Sequence, residues 1–310
     1  MNIIHIAGTK GKGSTCILLN NFLKQRFQNL IRPIKVGLYT SPHIRKPTER
    51  IRINSVAISD NDFAQYVFEV LGMLKKSDNL QRDGMPTYFR FMTLVAFHYF
   101  MSKDVEVAII EVGVGGEYDS TNIISKPLAV GITTIHLDHQ SQLGSTLEDI
   151  AWHKAGILKP SARAFTVVQK EAVHGVIDER ARAVNVEVTT VRDLQWLVSD
   201  VIKSKGQREN AALAAHLASV VFEKLLKFET SQRAIDLEFP DNFASSQLLA
   251  GLERTHLPAR GEITRSNGAT WFLDGAHTIE SVELAVQNYM QRSFAAGVEK
   301  YNPSKETSQR

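Results

Sequence analysis

His5-Ile6-Ala7-Gly8-Thr9-Lys10-Gly11-Lys12-Gly13-Ser14-Thr15 is the stretch that decides the fold. A short apolar strand (residues 3–6) runs into it, and a helical pattern (16–27) runs out of it. Strand, glycine-rich loop and helix in that order make an anion site. Consecutive backbone N–H groups point at the ligand, and the positive end of the helix dipole faces it. Lys12 adds a full positive charge where the outer phosphates of a nucleotide would lie. The spacing departs from the pattern G-x-x-x-x-G-K-[ST], with Ile6 in place of its first glycine and Gly13 in place of its hydroxyl. That hydroxyl ordinarily holds Mg2+, so here another residue has to supply the ligand. A glycine-rich turn with a chance lysine would explain the loop, but not the strand and helix that flank it.

Outward from the loop, Ile- and Val-rich strands alternate with helices, which implies an α/β fold: a P-loop-type, mostly parallel sheet with crossover helices. Strands are expected at residues 34–39, 105–112, 128–134, 164–168 and 186–191. Helices are expected at 60–75, capped by Ser59, at 86–102, opened by Pro86, at 146–154, between the last two strands, and at 207–227. Residues 40–50, with prolines among basic residues, read as an ordered loop. A boundary falls near Thr255, giving a domain at 1–255 and the start of a second, truncated α/β domain at 256–310. The latter holds two short strands (261–265 and 270–273) and a helix (278–293), too little to build a parallel-sheet core alone.

The 310 residues are 43% hydrophobic and 22% charged, enough for proper cores. A net charge of +3 with both signs interspersed argues against nucleic acid as a partner. The single cysteine, Cys16, excludes an internal disulfide, suits a reducing compartment and reads as a packing residue. The longest nearly uncharged apolar run, 91–101, is too short to span a bilayer, and no secretory or transit segment precedes the first strand. A soluble intracellular protein with no membrane partner is expected.

Beyond the loop, Glu111 ends a buried strand and so faces the crevice at the carboxyl edge of the sheet, where Mg2+ would find an oxygen ligand; a strand-end salt bridge is the alternative. The glycines that follow, Gly113, Gly115 and Gly116, would let backbone approach a phosphate or substrate. His136, Asp138 and His139 follow another strand and fall on the same edge. Lys154 ends a short helix before Gly156, where it serves either the site or its own helix terminus. In Asp274-Gly275-Ala276-His277, Asp and His could meet a ribose or phosphate, and a turn-forming Asp-Gly is an equal account.

Read together, HIAGTKGKGST (5–15), YTSPHIRKPTERIRIN (39–54), PTYFRFMTLVAFHYF (86–100), EVGVGGEYDSTNII (111–124), LDHQSQLGSTLEDIAWHKAGILKP (137–160), QRENAALA (207–214) and DGAHT (274–278) resemble the folylpolyglutamate synthase family of the Mur ligase superfamily, in family order. The wording is closer to eukaryotic members than to bacterial ones. The resemblance implies ATP as co-substrate, bound by Gly8, Thr9, Lys10, Gly11, Lys12, Gly13, Ser14, Asn210, Arg260 and Asp274. It implies Mg2+ on Ser41, Glu111 and His139, and catalytic roles for Lys12, Lys154 and His277. Lys154 matches a lysine often carbamylated in the superfamily, and residues 41–54 match a loop that closes on the folate.

The implied reaction is ATP-dependent amide formation. The γ-carboxylate of a folate attacks the γ-phosphate of ATP to give an acyl phosphate, and the amino group of L-glutamate expels phosphate. The implied partners are tetrahydrofolate, its polyglutamates and L-glutamate. A cytoplasmic monomer is expected, with a mitochondrial form left open. The sequence departs from the family at both ends, where an N-terminal helix and most of the C-terminal domain are expected to be missing. Pro258-Ala259-Arg260 replaces Pro-Gly-Arg, and Gly206 replaces a histidine. A dihydrofolate synthase, a truncated non-catalytic ATP- or folate-binding fragment, and a bare NTPase are the alternatives.

Overall fold

The computed structural model describes the chain except residues 29, 31, 78–83, 194–201, 203, 227–249, 256, 258, 277–278 and 296–310. The chain divides into two units, Met1–Thr255 and His256–Arg310. In the first, β1 (Asn2–Ala7) leads through the glycine-rich loop into α1 (Lys12–Phe27), followed by β2 (Val36–Tyr39) and a hairpin of β3 (Ile51–Ile53) and β4 (Val56–Ala57). Then come α2 (Asp60–Lys75), α3 (Tyr88–Ser102), β5 (Val107–Glu111), β6 (Ala129–Ile132), a one-turn α4 (Gln140–Leu143) and α5 (Leu147–Ala155). β7 (Arg163–Val167), α6 (Glu171–Ala183), β8 (Val188–Val191) and α7 (Lys205–Leu226) complete it.

These strands form one 8-stranded sheet in the order β4-β3-β2-β5-β1-β6-β7-β8. Every neighbouring pair is parallel except β2–β3 and β3–β4 at one edge. Side chains alternate between two buried faces. Ile4, Ile6, Val107, Ile109, Phe165 and Val167 pack with α1 and α7. On the other face Ala108 and Ile110 pack with α2 and α3, while Val130, Ile132 and Ala164 pack with α5 and α6. Helices on both faces explain why the strands read as near-continuous apolar runs. Cys16 lies free and buried in the first of these layers.

Three local features differ from the sequence expectations. Residues 51–57, to which no strand is assigned from sequence, pair as a hairpin through Asn54-Ser55, both at positive φ. Two-residue hairpin turns need that conformation, and Asn-Ser announces it less clearly than Asn-Gly. Helix α1 begins at Lys12, four residues early, because Gly11 takes the left-handed N-cap position (φ 96°) that a side chain would disfavour. Helix α7 begins at Lys205, where Ser204 and Gln207 exchange N–H bonds at 3.0 and 3.2 Å as a capping box. Among the described residues no helix is long and apolar enough to cross a membrane.

The second unit is an antiparallel ribbon, β9 (Arg260–Ser266) and β10 (Ala269–Asp274), turned at Asn267-Gly268, with α8 (Ile279–Ala295). Phe272 meets Tyr289 edge to face, with ring centres 4.6 Å apart.

Candidate active site

The sheet brings the carboxyl ends of four strands together. Gly8 follows β1, Ser41 lies just past β2, Glu111 ends β5, and residues 133–139 follow β6. Ile6 is in register with Glu111 and Ala7 with Ile132, so β5 and β6 flank the loop on either side. From β1 the chain first crosses toward β2, and later returns to lay β6 on the opposite side. That reversal is where open α/β sheets form their ligand crevice.

The first half of the loop is stitched to the segment after β6. Thr9 and Lys10 N–H donate to the Thr134 carbonyl at 2.9 and 3.2 Å. Thr9 Oγ1 donates to the His136 carbonyl (3.0 Å) and accepts the His136 N–H (3.1 Å). The anion-facing donors are then the N–H groups at residues 11–14, the start of α1, which a helix cannot satisfy internally.

Two ammonium groups converge on one carbonyl. Lys12 Nζ donates to Gly8 O at 3.0 Å and to Thr9 O at 3.4 Å, and Lys154 Nζ donates to the same Gly8 O at 2.9 Å. Lys154 thus reaches the loop instead of capping its own helix α5. It is only 3% exposed. Burial first, and the Lys12 charge second, lower its pKa to about 7.

Glu111 is 3% exposed and accepts the Ser41 N–H at 2.8 Å. Both its carboxylate oxygens lie 3.5 Å from where a Cβ on Gly13 would stand, so the charge faces the first turn of α1. His139 is the left-handed residue (φ 52°) ahead of α4; its N–H meets Asp138 Oδ1 at 2.8 Å, and its half-exposed ring lies 3.9 Å from Asp138 Oδ2. Among the described residues no three His, Cys, Asp or Glu side chains form a closed metal cage. A buried carboxylate beside a serine suits Mg2+ nonetheless, because that ion uses one or two carboxylates, waters and substrate phosphates.

Two of the glycines after Glu111 make close contacts within the protein itself. A Cβ on Gly116 would lie 3.1 Å from Lys154 Cα, so this glycine lets the loop back onto the end of α5 and keep Lys154 in place. Gly113 and Val114 N–H groups are held by Asp119 Oδ2 at 3.1 and 3.0 Å, not left for a phosphate. Asn210, on α7, does join the loop: a Cβ on Gly11 would collide with its amide.

Within residues 41–54, Glu49 gathers the N–H groups of Ile44, Arg45 and Lys46 at 2.9, 3.1 and 2.9 Å, which lowers its pKa. Arg50 Nε donates to His43 Nδ1 at 2.9 Å, and its guanidinium lies over the Tyr88 ring. Reading the sequence for chemistry passes over Glu49 and Arg50, whose roles depend on a loop shape that no spacing signals.

In the second unit, Arg260 and Asp274 are cross-strand partners at the end of the ribbon, where Gly275 N–H closes onto Ala259 O at 2.7 Å. Ala259 sits at φ 52°, the left-handed region that favours glycine. His277 lies outside the described residues.

No protein-family model matches the chain. Curated relatives do. The chain is 38% identical over 305 residues to the mitochondrial folylpolyglutamate synthase of Cricetulus griseus, covering 94% of this chain and 51% of that protein. It is 42% identical over 288 residues to a probable folylpolyglutamate synthase of Schizosaccharomyces pombe, covering 91% and 55%. Over more than nine tenths of its length the chain is similar to folylpolyglutamate synthases. It spans about half the length of the curated relatives it matches. Among solved folylpolyglutamate synthases, the apo form from L. casei superposes with a TM-score of 0.77 at 28% identity, covering 94% of this chain and 71% of that one. A structure described as an FPGS-AMPPCP-folate complex gives 0.77 at 29%, with the same coverage. These matches carry the same α/β architecture with its mostly parallel sheet.

Proposed function

We propose that this chain carries the ATP- and Mg2+-handling part of a ligase that adds L-glutamate to the γ-carboxylate of tetrahydrofolate polyglutamates. Residues 1–255 would be the ATP- and folate-binding domain, and 256–310 the beginning of the C-terminal ligase domain. The observation that carries the reading is the placement of Glu111 against the first turn of α1, beside a loop already held by Lys12 and Lys154. The relatives' activity supports the rest.

The chemistry needs this arrangement. A carboxylate is a poor electrophile, and it must approach a polyanionic phosphate. Lys12 and the N–H groups at the start of α1 would neutralise the phosphate oxygens. Ser41, Glu111 and His139 would hold Mg2+, which supplies further charge neutralisation at the γ-phosphate. The carboxylate oxygen takes the phosphoryl group with loss of ADP, and the glutamate amine then displaces phosphate from the acyl carbon. With its pKa lowered to about 7, Lys154 has the neutral amine that carbamate formation needs, and it matches a lysine often carbamylated in the superfamily. Arg260 and Asp274 as nucleotide contacts, and His277 as a catalytic residue, rest on the resemblance alone.

The deciding assay is ATP-dependent incorporation of labelled glutamate into tetrahydrofolate, with dihydropteroate as the alternative acceptor. Incorporation only with dihydropteroate would make the chain a dihydrofolate synthase. ATP binding with no incorporation into either would make it a nucleotide-binding module without ligase activity.

A further inference from the structure

A polar chain, buried at His5 and Thr121 and half-buried at Asp119, runs from the middle of β1 to the loop after Glu111, and the phosphate chemistry uses none of it. His5 is fully buried. It lies on the sheet face where its strand neighbours Ile3 and Ala7 pack into apolar clusters. An imidazole in that place costs desolvation that an isoleucine would not. Its Nε2 lies 2.8 Å from Thr121 Oγ1. Asp119 Oδ1 accepts from both Thr121 Oγ1 (2.5 Å) and Thr121 N–H (2.9 Å), while Oδ2 accepts the Gly113 and Val114 N–H groups.

The direction of the chain is fixed. The carboxylate only accepts, so the Thr121 proton goes to Asp119 and the hydroxyl accepts from His5. His5 is therefore the Nε2–H tautomer, with Nδ1 buried and unpartnered. Burial, and then the Lys159 charge, hold its pKa down at about 3, so it stays neutral. On the other side of the loop, Val112 N–H donates to Ile6 O at 2.9 Å. The segment leaving Glu111 is thus tied twice to β1, once through backbone and once through three side chains.

We propose that His5 is a positioning residue which, through Thr121 and Asp119, sets the loop that follows Glu111 and backs onto Lys154. Its effect on cation binding rests on the reading of Glu111 given above; its effect on the loop does not. The full chain tests both. Amide exchange at Gly113 and Val114 is measured without nucleotide, and ATP binding is measured with Mg2+ and with EDTA.

His5→Leu and Thr121→Val are expected to speed exchange at both amides about tenfold or more. They are expected to weaken Mg2+-dependent ATP binding about tenfold, while leaving binding in EDTA within about twofold. His5→Gln, which keeps a donor, and Thr121→Ser, which keeps the hydroxyl, should restore both. Should His5→Leu not fold, the isosteric Thr121→Val carries the same test. Unchanged exchange in the disrupting variants would overturn the proposal, as would rescue variants that fail equally. A wild-type chain indifferent to Mg2+ would overturn the Glu111 reading, and the exchange measurement would still decide the positioning role.

Discussion

In the first unit a sheet of 8 strands is covered by helices on both faces; in the second, a two-stranded ribbon meets one helix, and no side chain of the ribbon is buried. Trp271, Leu273 and Ile263 of that ribbon are exposed. The difference bears on how function is recognised. Inside a sealed sheet a polar group is an exception with a cost, so His5, Glu111 and Lys154 stand out. In the ribbon nothing is buried enough to make a polar residue conspicuous. Arg260 and Asp274 are marked there by pairing and family resemblance alone.

The largest effect expected is at the sealed site. Glu111→Ala should lower Mg2+-dependent ATP turnover by about a thousandfold, and near-normal turnover in a phosphate-release assay would remove Glu111 from the site. Next comes a direct test of the contrast by urea unfolding. Ile109→Ala empties a fully buried place in β5 and should cost about 2–5 kcal/mol. Leu273→Ala in the exposed ribbon should cost less than about 1 kcal/mol. Equal losses would erase the distinction between the units.

A pH experiment sharpens it further. Lys154 titrates near 7 when folded and at its ordinary 10.5 when unfolded, so the unfolded chain holds the extra proton between those values. Its penalty is full below pH 7 and fades as pH rises toward 10.5. From pH 7 to 9 the wild-type chain should therefore gain about 2 kcal/mol relative to Lys154→Met; parallel curves from urea melts would contradict the burial. The smallest effect belongs to the second unit. Ala259→Gly relieves a left-handed alanine and should add about 0.5 kcal/mol, seen as slightly slower exchange of the Gly275 amide.

The sheet was largely legible because its strands are buried on both faces and its crossovers are helical. The strand, glycine-rich loop and helix at the start of the chain were legible because strand, glycines and lysine are consecutive. The β3–β4 hairpin was not, since Asn54-Ser55 is a weak turn signal and each strand is only two or three residues long. The start of α7 was available in Ser204-Lys205-Gly206-Gln207 as a capping box. Lys154 could be read from local sequence either as a cap or as a site residue, and only its 2.9 Å bond to Gly8, 146 positions away, shows that it reaches the glycine-rich loop. The His5–Thr121–Asp119 chain joins residues over a hundred positions apart and leaves no periodic trace. The glycines after Glu111 were conspicuous in sequence, but Gly116 approaches the backbone of α5 and Gly113 the side chains of Phe89 and Asp119.

The carbonyl shared by Lys12 and Lys154 has a thermodynamic consequence. When a phosphate engages Lys12, less positive charge presses on its neighbour, and Lys154 becomes the stronger base. Near neutral pH the chain should then draw a fraction of a proton from solution as nucleotide arrives. The heat of binding would differ between phosphate and Tris buffers, because each buffer releases that proton with its own enthalpy.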